Sequence, residues 1–184
     1  EDDQANPQSV YGVTKWQGEE FVRKYRKHFI LRTSWVFSSK GNNFLKSIFK
    51  LAQEQTSLSV VDDLWGSPTS AQTLSMAIQV IIQYLNKNKN AEVYGTYHVA
   101  SDGVTNWYLY ACKILDTLES FKIKLKLKKD YLYPIPSNQY PQDAIRPKNS
   151  KLIIKKVNIN HSRIGVVQIL KKMGADIVFK NQKT

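Results

Sequence analysis

The sequence predicts an α/β fold with at least partly parallel strand pairing, and three features predict it. Short apolar, β-branched runs alternate with longer stretches whose apolar residues recur at helical spacing. The run HFILRTSWVF is rich in apolar and β-branched residues, as a buried parallel strand is, and too short for a typical helix. Helix-entry residues stand ahead of the periodic stretches.

Taken in order, EDD and Asn6-Pro7 read as a loop, and Pro7 with Ser9 makes a helix entry. From Tyr11 to about Lys27, Val13, Trp16, Phe21, Val22 and Tyr25 recur near helical spacing. HFILRTSWVF follows as a strand, SSKGNN breaks it, and FLKSIFKLAQEQ is a second amphipathic helix. LSVVDD reads as a short strand, WGSPT as a turn, and SAQTLSMAIQVIIQYLNKN as a third helix capped by Thr69 or Ser70. GTYHVA is another strand, and Asn106 opens a fourth helix through WYLYACKILDTLES. The tract YLYPIPSNQYPQDAIRPKNS carries four prolines, so neither a helix nor a central strand is expected there. A compact unit ends the chain: strand KLIIKKVNI, helix SRIGVVQILKKMG with Gly174 at its C-terminal cap, and strand ADIVF.

Composition bounds the class. With 42% apolar and 23% charged residues, the 184-residue chain reads as one globular domain, or one domain plus a remnant. No apolar run approaches the ~18 residues of a membrane span, and no basic-then-apolar leader follows Glu1, so a cytoplasmic setting is expected. The single Cys112 is expected to be a small buried apolar residue. The net charge of +12 lies wholly beyond residue 121: residues 1–121 hold 12 basic and 12 acidic side chains, residues 122–184 hold 15 and 3. There the lysines punctuate apolar residues, as in FKIKLKLKKDYLY, which is the pattern of strands with one wet face rather than of a nucleic-acid-binding block. The histidines at 28, 98 and 161 are far apart, and no Cys/His cluster has metal-ligand spacing. The carboxylate pairs Asp2-Asp3, Glu19-Glu20 and Asp62-Asp63 read as solvated or capping residues, because adjacent residues do not face one another.

Tyr11 and Lys15 carry the most chemistry. Four residues apart on a helix, they share one face with Cβ atoms about 5–6 Å apart. A free phenol titrates near ~10, too high for efficient proton transfer at neutral pH, and a neighbouring ammonium favours the phenolate. The spacing suits a tyrosine that hands a proton to a carbonyl oxygen while hydride arrives at the carbon. The same pair on a Lys- and Tyr-rich helix is also compatible with a surface contact.

The surroundings extend the motif. NPQSVYGVTKWQGE, LRTSWVFSSKGNNFLKSIFKLAQE, VVDDLWGSPTSAQTLSMAI, GTYHVASDGVTNWYLYACKIL and RPKNSKL resemble, in order and spacing, the C-terminal half of the dTDP-4-dehydrorhamnose reductase family. That family belongs to the extended short-chain dehydrogenase/reductases, and the resemblance covers about residues 1–152. It implies an incomplete Rossmann-like parallel sheet with a substrate-binding subdomain, and NADPH-dependent reduction of a dTDP-bound 4-keto-6-deoxy sugar to dTDP-L-rhamnose. Tyr11 matches the catalytic acid, and Lys15 the lysine that activates it and binds the nicotinamide ribose. Trp35 matches a residue lining the sugar pocket, although a buried core aromatic is equally compatible with its segment. Asn42, Asn43 and Arg146 match nucleotide-facing positions, with a loop amide and a surface arginine as the simpler readings.

NADPH binding in this family uses a Gly-rich turn. The eight glycines, at 12, 18, 41, 66, 95, 103, 165 and 174, allow no G-x-G-x-x-G and no G-x-x-G. The expectation is a sugar-nucleotide-binding half that is inactive alone and whose FILRTS strand has an unpaired edge and an uncovered apolar face. Poor solubility, homo-oligomerisation, or a need for the family's N-terminal half follows from that. KLIIKKVNINHSRIGVVQILKKMGADI resembles instead a strand-helix-strand unit of the 3-phosphoshikimate 1-carboxyvinyltransferase (EPSP synthase) family, which divides the chain into a reductase-like region, 1–149, and a tail, 150–184; a divergent reductase C-terminus is the alternative reading of that tail. His161 and Arg163 lie in that tail, His161 as a turn or cap neighbour. Two other readings stand beside this one: an interaction module whose basic C-terminal third binds an anionic partner, and one piece of a longer intact reductase.

Overall fold

The computed structural model describes residues 4–141 and 146–150. Helices α1 (Val10–Arg23), α2 (Phe44–Glu54), α3 (Ala71–Lys87) and α4 (Trp107–Ser120) alternate with eight short strands. The strands are β1 (Phe29–Arg32), β2 (Val36–Phe37), β3 (Leu58–Val61), β4 (Trp65–Gly66), β5 (Thr69–Ser70), β6 (Gly95–His98), β7 (Thr105–Asn106) and β8 (Leu132–Ile135). Parallel pairing dominates: β1 runs beside β6 with Phe29 opposite Gly95, β2 beside β5, and β3 beside β8 with Leu58 opposite Leu132. Among the described residues only β4 and β7 are antiparallel, and Trp65 also forms a parallel bridge with Asn149. The α/β expectation therefore holds, with strands paired two by two among the described residues.

Each helix starts where a side chain can satisfy its free N–H groups. Ser9, Asn43, Ser70 and Asn106 cap α1 to α4, accepting from the backbone N–H of Gly12, Lys46, Thr73 and Leu109. The main core lies where α2 and α4 meet β3 and β8: Ile48, Ala52, Val60, Ala111, Ile114, Leu115, Leu127 and Leu132 are all buried. Cys112 packs against this cluster half-buried, not fully buried as expected.

Four sequence expectations need correction. HFILRTSWVF is not one strand: Trp35 adopts a positive φ of 46°, which ends β1 and lets β2 pair separately with β5. WGSPT is not merely a turn, since Trp65–Gly66 pairs with Thr105–Asn106 and Thr69–Ser70 pairs with β2. The proline-rich tract holds no central strand, as expected, but it does hold β8, with Pro134 opposite Val60; among the described residues β8 pairs on one side, where the missing N–H of proline breaks no second ladder. FKIKLKL is an extended connection, not a strand, held by the N–H groups of Lys126 and Leu127, which both donate to the Ala52 carbonyl at 2.9 and 3.0 Å. Its alternation is real, because Leu127 is buried while the flanking lysines are exposed. Helix α1 also ends at Arg23, short of Lys27. Residues 151–184, with the strand-helix-strand reading, His161 and Arg163, lie outside the described residues.

Candidate functional site

Helix α1 presents Tyr11 and Lys15 together, with Lys15 Nζ 5.5 Å from the Tyr11 ring centroid. Both side chains are exposed, Tyr11 at 72%. No residue of α1 is buried, and apolar side chains on it face solvent, with Val10 at 82% and Phe21 at 65%, as does Tyr25 just beyond it at 73%. Part of the uncovered apolar surface therefore lies on this helix, beyond the strand where the sequence placed it. In β1 itself Ile30 is buried and its neighbours are half-buried.

One turn beyond Lys15 stands Glu19, and the sequence reading of it as solvated or capping is overturned. Arg32 at the end of β1 donates from Nε to Glu19 Oε1 at 2.9 Å and from its terminal nitrogen to Oε2 at 2.6 Å. Arg23 adds a contact to Oε2 at 3.1 Å and also meets Glu20. The Arg32 hydrogen bond is the main reason the Glu19 carboxyl titrates below its ordinary value of 4.5, against the opposing effect of burial. Because its folded value is depressed, Glu19 contributes stability that is full above about pH 4.5 and lost as pH falls through the lowered value. Glu19→Gln should accordingly flatten the acid limb of a stability-versus-pH curve measured by denaturant unfolding, with the difference between the two proteins largest at neutral pH.

Trp35 lies in an aromatic cluster. Its ring stacks on Trp107 at 3.6 Å between centroids and 9° between planes. Trp107 also touches Phe44 at 4.4 Å, and Phe44 stacks on Tyr110 at 5.5 Å. Phe44 and Trp107 are the first residues of α2 and α4, so the positive N-terminal ends of two helices converge beside Trp35. The half-buried Trp35 packs against this cluster and is not sealed in the core. Ser34 Oγ and Tyr110 Oη are buried in the same region with no hydrogen-bond partner among the described residues, and burial pushes the Tyr110 phenol upward.

Gly66 is what admits the Trp35 ring. A Cβ on Gly66 would fall 2.6 Å from Trp35 Nε1 and 2.8 Å from Cδ2. Gly66→Ala should cost about 1–3 kcal/mol of overpacking, with a changed tryptophan near-ultraviolet dichroism as the indole pair shifts.

Asn43 is occupied in capping: its Oδ1 accepts from Lys46 N–H and its Nδ2 donates to the Ser38 carbonyl at 2.7 Å. Asn42 and Arg146 are exposed. Among the described residues no hydrogen bond, ion pair or ring contact joins the Tyr11–Lys15 pair to Trp35, Asn43 or Arg146. Glu19, Arg32, Gly66 and Trp107 were missed in the sequence; only Trp107, directly after the Asn106 cap, carried a signal that could have found it.

Parallel strand pairs linked by helices, with an exposed Tyr–Lys pair on the helix before the first strand, define an α/β architecture of the reductase type. The chain belongs to the RmlD substrate binding domain family, whose pattern matches residues 1–170. The match runs past residue 152, so residues 150–170 fall inside it. It is 38% identical over 181 residues to dTDP-4-dehydrorhamnose reductase of Escherichia coli K12, covering 94% of this chain and 59% of that one. Among solved structures it resembles dTDP-4-dehydrorhamnose reductase of Bacillus anthracis in complex with NADP, at 30% identity and a TM-score of 0.70, over 94% of this chain and 58% of that one. The Clostridium acetobutylicum reductase structure gives 30% identity and a TM-score of 0.69, over 95% and 59% of the two chains. The chain thus spans about 59% of the length of the curated relatives it matches.

Proposed function

We propose that this chain carries the sugar-nucleotide side and the proton-donating pair of a dTDP-4-dehydrorhamnose reductase. The reaction is NADPH-dependent reduction of dTDP-4-dehydro-6-deoxy-L-mannose to dTDP-L-rhamnose. One observation carries the reading: the exposed Tyr11–Lys15 pair, with the ammonium 5.5 Å from the ring, in a chain 38% identical to such a reductase. Tyr11 would donate its phenolic proton to the 4-keto oxygen, and Lys15 would stabilise the phenolate left behind. Trp35, beside the converging N-termini of α2 and α4, offers an apolar ring for the deoxy sugar next to a region favourable to diphosphate.

The residues present fit one end of NADPH. Lys15 is exposed and is proposed to hold the nicotinamide ribose, while the 184 residues contain no Gly-rich turn for the pyrophosphate. When bound, the dinucleotide supplies the hydride that reduces C4. These residues alone are therefore proposed to bind dTDP-sugar without turnover, and activity is proposed to need a Gly-rich nucleotide-binding segment. The test is to join this chain to the Gly-rich N-terminal portion of a relative and follow NADPH consumption with the dTDP-4-keto sugar. Sugar-dependent turnover is expected; a folded joined protein that binds both ligands and does not turn over would overturn the reading.

A further inference from the structure

We propose that Glu19 and Arg32 are positioning residues for the Tyr11–Lys15 pair, acting as a two-point clamp that fixes the rotation of α1 against the end of β1. The inference rests on the proposed function for its catalytic meaning, while the clamp itself is a structural claim.

Residues 11, 15, 19 and 23 follow one another at intervals of four, so their side chains rise along a single face of α1. Whatever fixes Glu19 therefore fixes the direction in which Tyr11 and Lys15 point. Ordinary helix docking does not do this: no residue of α1 is buried, and only Gly12, Val13 and Glu19 are less than exposed. A helix without a buried stripe is free to roll, because apolar contact does not distinguish one rotation from the next. The clamp supplies what packing does not. Arg32 presents a planar fork, with Nε on one carboxylate oxygen at 2.9 Å and the terminal nitrogen on the other at 2.6 Å. Such paired, parallel bonds set an orientation and not only a distance. Both side chains are largely withdrawn from water, at 19% exposure for Glu19 and 26% for Arg32. Arg23, the next residue on the face, braces the outer side of the same carboxylate at 3.1 Å. Arg32 is itself held firmly, since it lies opposite His98 in the β1–β6 ladder and its carbonyl accepts from Val99 N–H at 2.8 Å. The chain of support runs from strand pair to Arg32, to Glu19, and along one helix face to Lys15 and Tyr11.

The test uses amide hydrogen exchange across the 184-residue chain, comparing the parent with Glu19→Gln, Arg32→Gln and the exchanged pair Glu19→Arg with Arg32→Glu. Each single variant is expected to speed exchange in residues 10–23 by about tenfold or more while α4 keeps its protection. The exchanged pair is expected to recover part of the loss. Unchanged protection of α1 in Glu19→Gln would overturn the proposal, and so would an equal loss in α1 and α4, which marks general destabilisation. In the joined reductase, Glu19→Gln is expected to lower kcat with the KM for the dTDP-sugar unchanged. A fall in affinity without a fall in kcat would overturn the positioning role. If the joined parent protein shows no turnover, the proposed function fails, while the exchange result still decides the clamp.

Discussion

Tyr11→Phe, in a reductase formed by joining this chain to a Gly-rich dinucleotide-binding segment, is expected to lower kcat by about 10²–10⁴-fold. Affinity for the dTDP-sugar should stay within about twofold, because a uniform loss of binding is the signature of a different role. The substitution removes one oxygen from an exposed ring, so neither packing nor solubility supplies an alternative cause. Lys15 Nζ lies over the Tyr11 ring, 5.5 Å from its centroid, and is proposed to stabilise the phenolate once the proton has left. Lys15→Met should therefore also depress kcat and, unlike Tyr11→Phe, weaken NADPH binding. Steady-state kinetics with each ligand varied separates the two, and a Tyr11→Phe enzyme with undiminished kcat would remove Tyr11 from the chemistry.

Leu115→Ala should be the most damaging single change to the described core, by about 2–5 kcal/mol. Leu115 is 0% exposed at the centre of the cluster that joins Ile48 and Ala52 of α2, Val60 of β3 and Leu132 of β8. Removing its isopropyl group leaves a void walled by four elements, none of which can collapse without moving the others. Ile82 on α3 provides the contrast, being 53% exposed, and Ile82→Ala should stay within about 0.5 kcal/mol of the parent. Denaturant unfolding of the three proteins measures both effects. Near-equal midpoints for Leu115→Ala and Ile82→Ala would contradict this account of the core.

Local rules made much of this legible in the sequence. Ser9, Ser70 and Asn106 announce the starts of α1, α3 and α4, because a cap and its helix lie within four residues. The Tyr11–Lys15 proximity is likewise a consequence of helical pitch alone. What escaped the sequence depends on partners far along the chain. Gly, Ser and Pro in WGSPT signal a turn, yet β4 and β5 exist because Thr105 and Val36 come to pair with them. Pro134 argues against a central strand, and that β8 forms at an edge follows from its pairing with β3 alone among the described residues. The break at Trp35 follows from a positive φ that no propensity assigns to tryptophan, and the space for its ring comes from Gly66, 31 residues away. Glu19 and Arg32, separated by 13 positions, belong to two elements, so neither periodicity states their pairing.

Titrating the 184-residue chain separately with dTDP and with NADPH, by calorimetry at one ionic strength, tests the central claim most directly. The account predicts measurable dTDP binding that weakens when Trp35 is replaced by alanine, and no NADPH binding in the micromolar range. Micromolar NADPH affinity, or dTDP binding indifferent to Trp35, would contradict it.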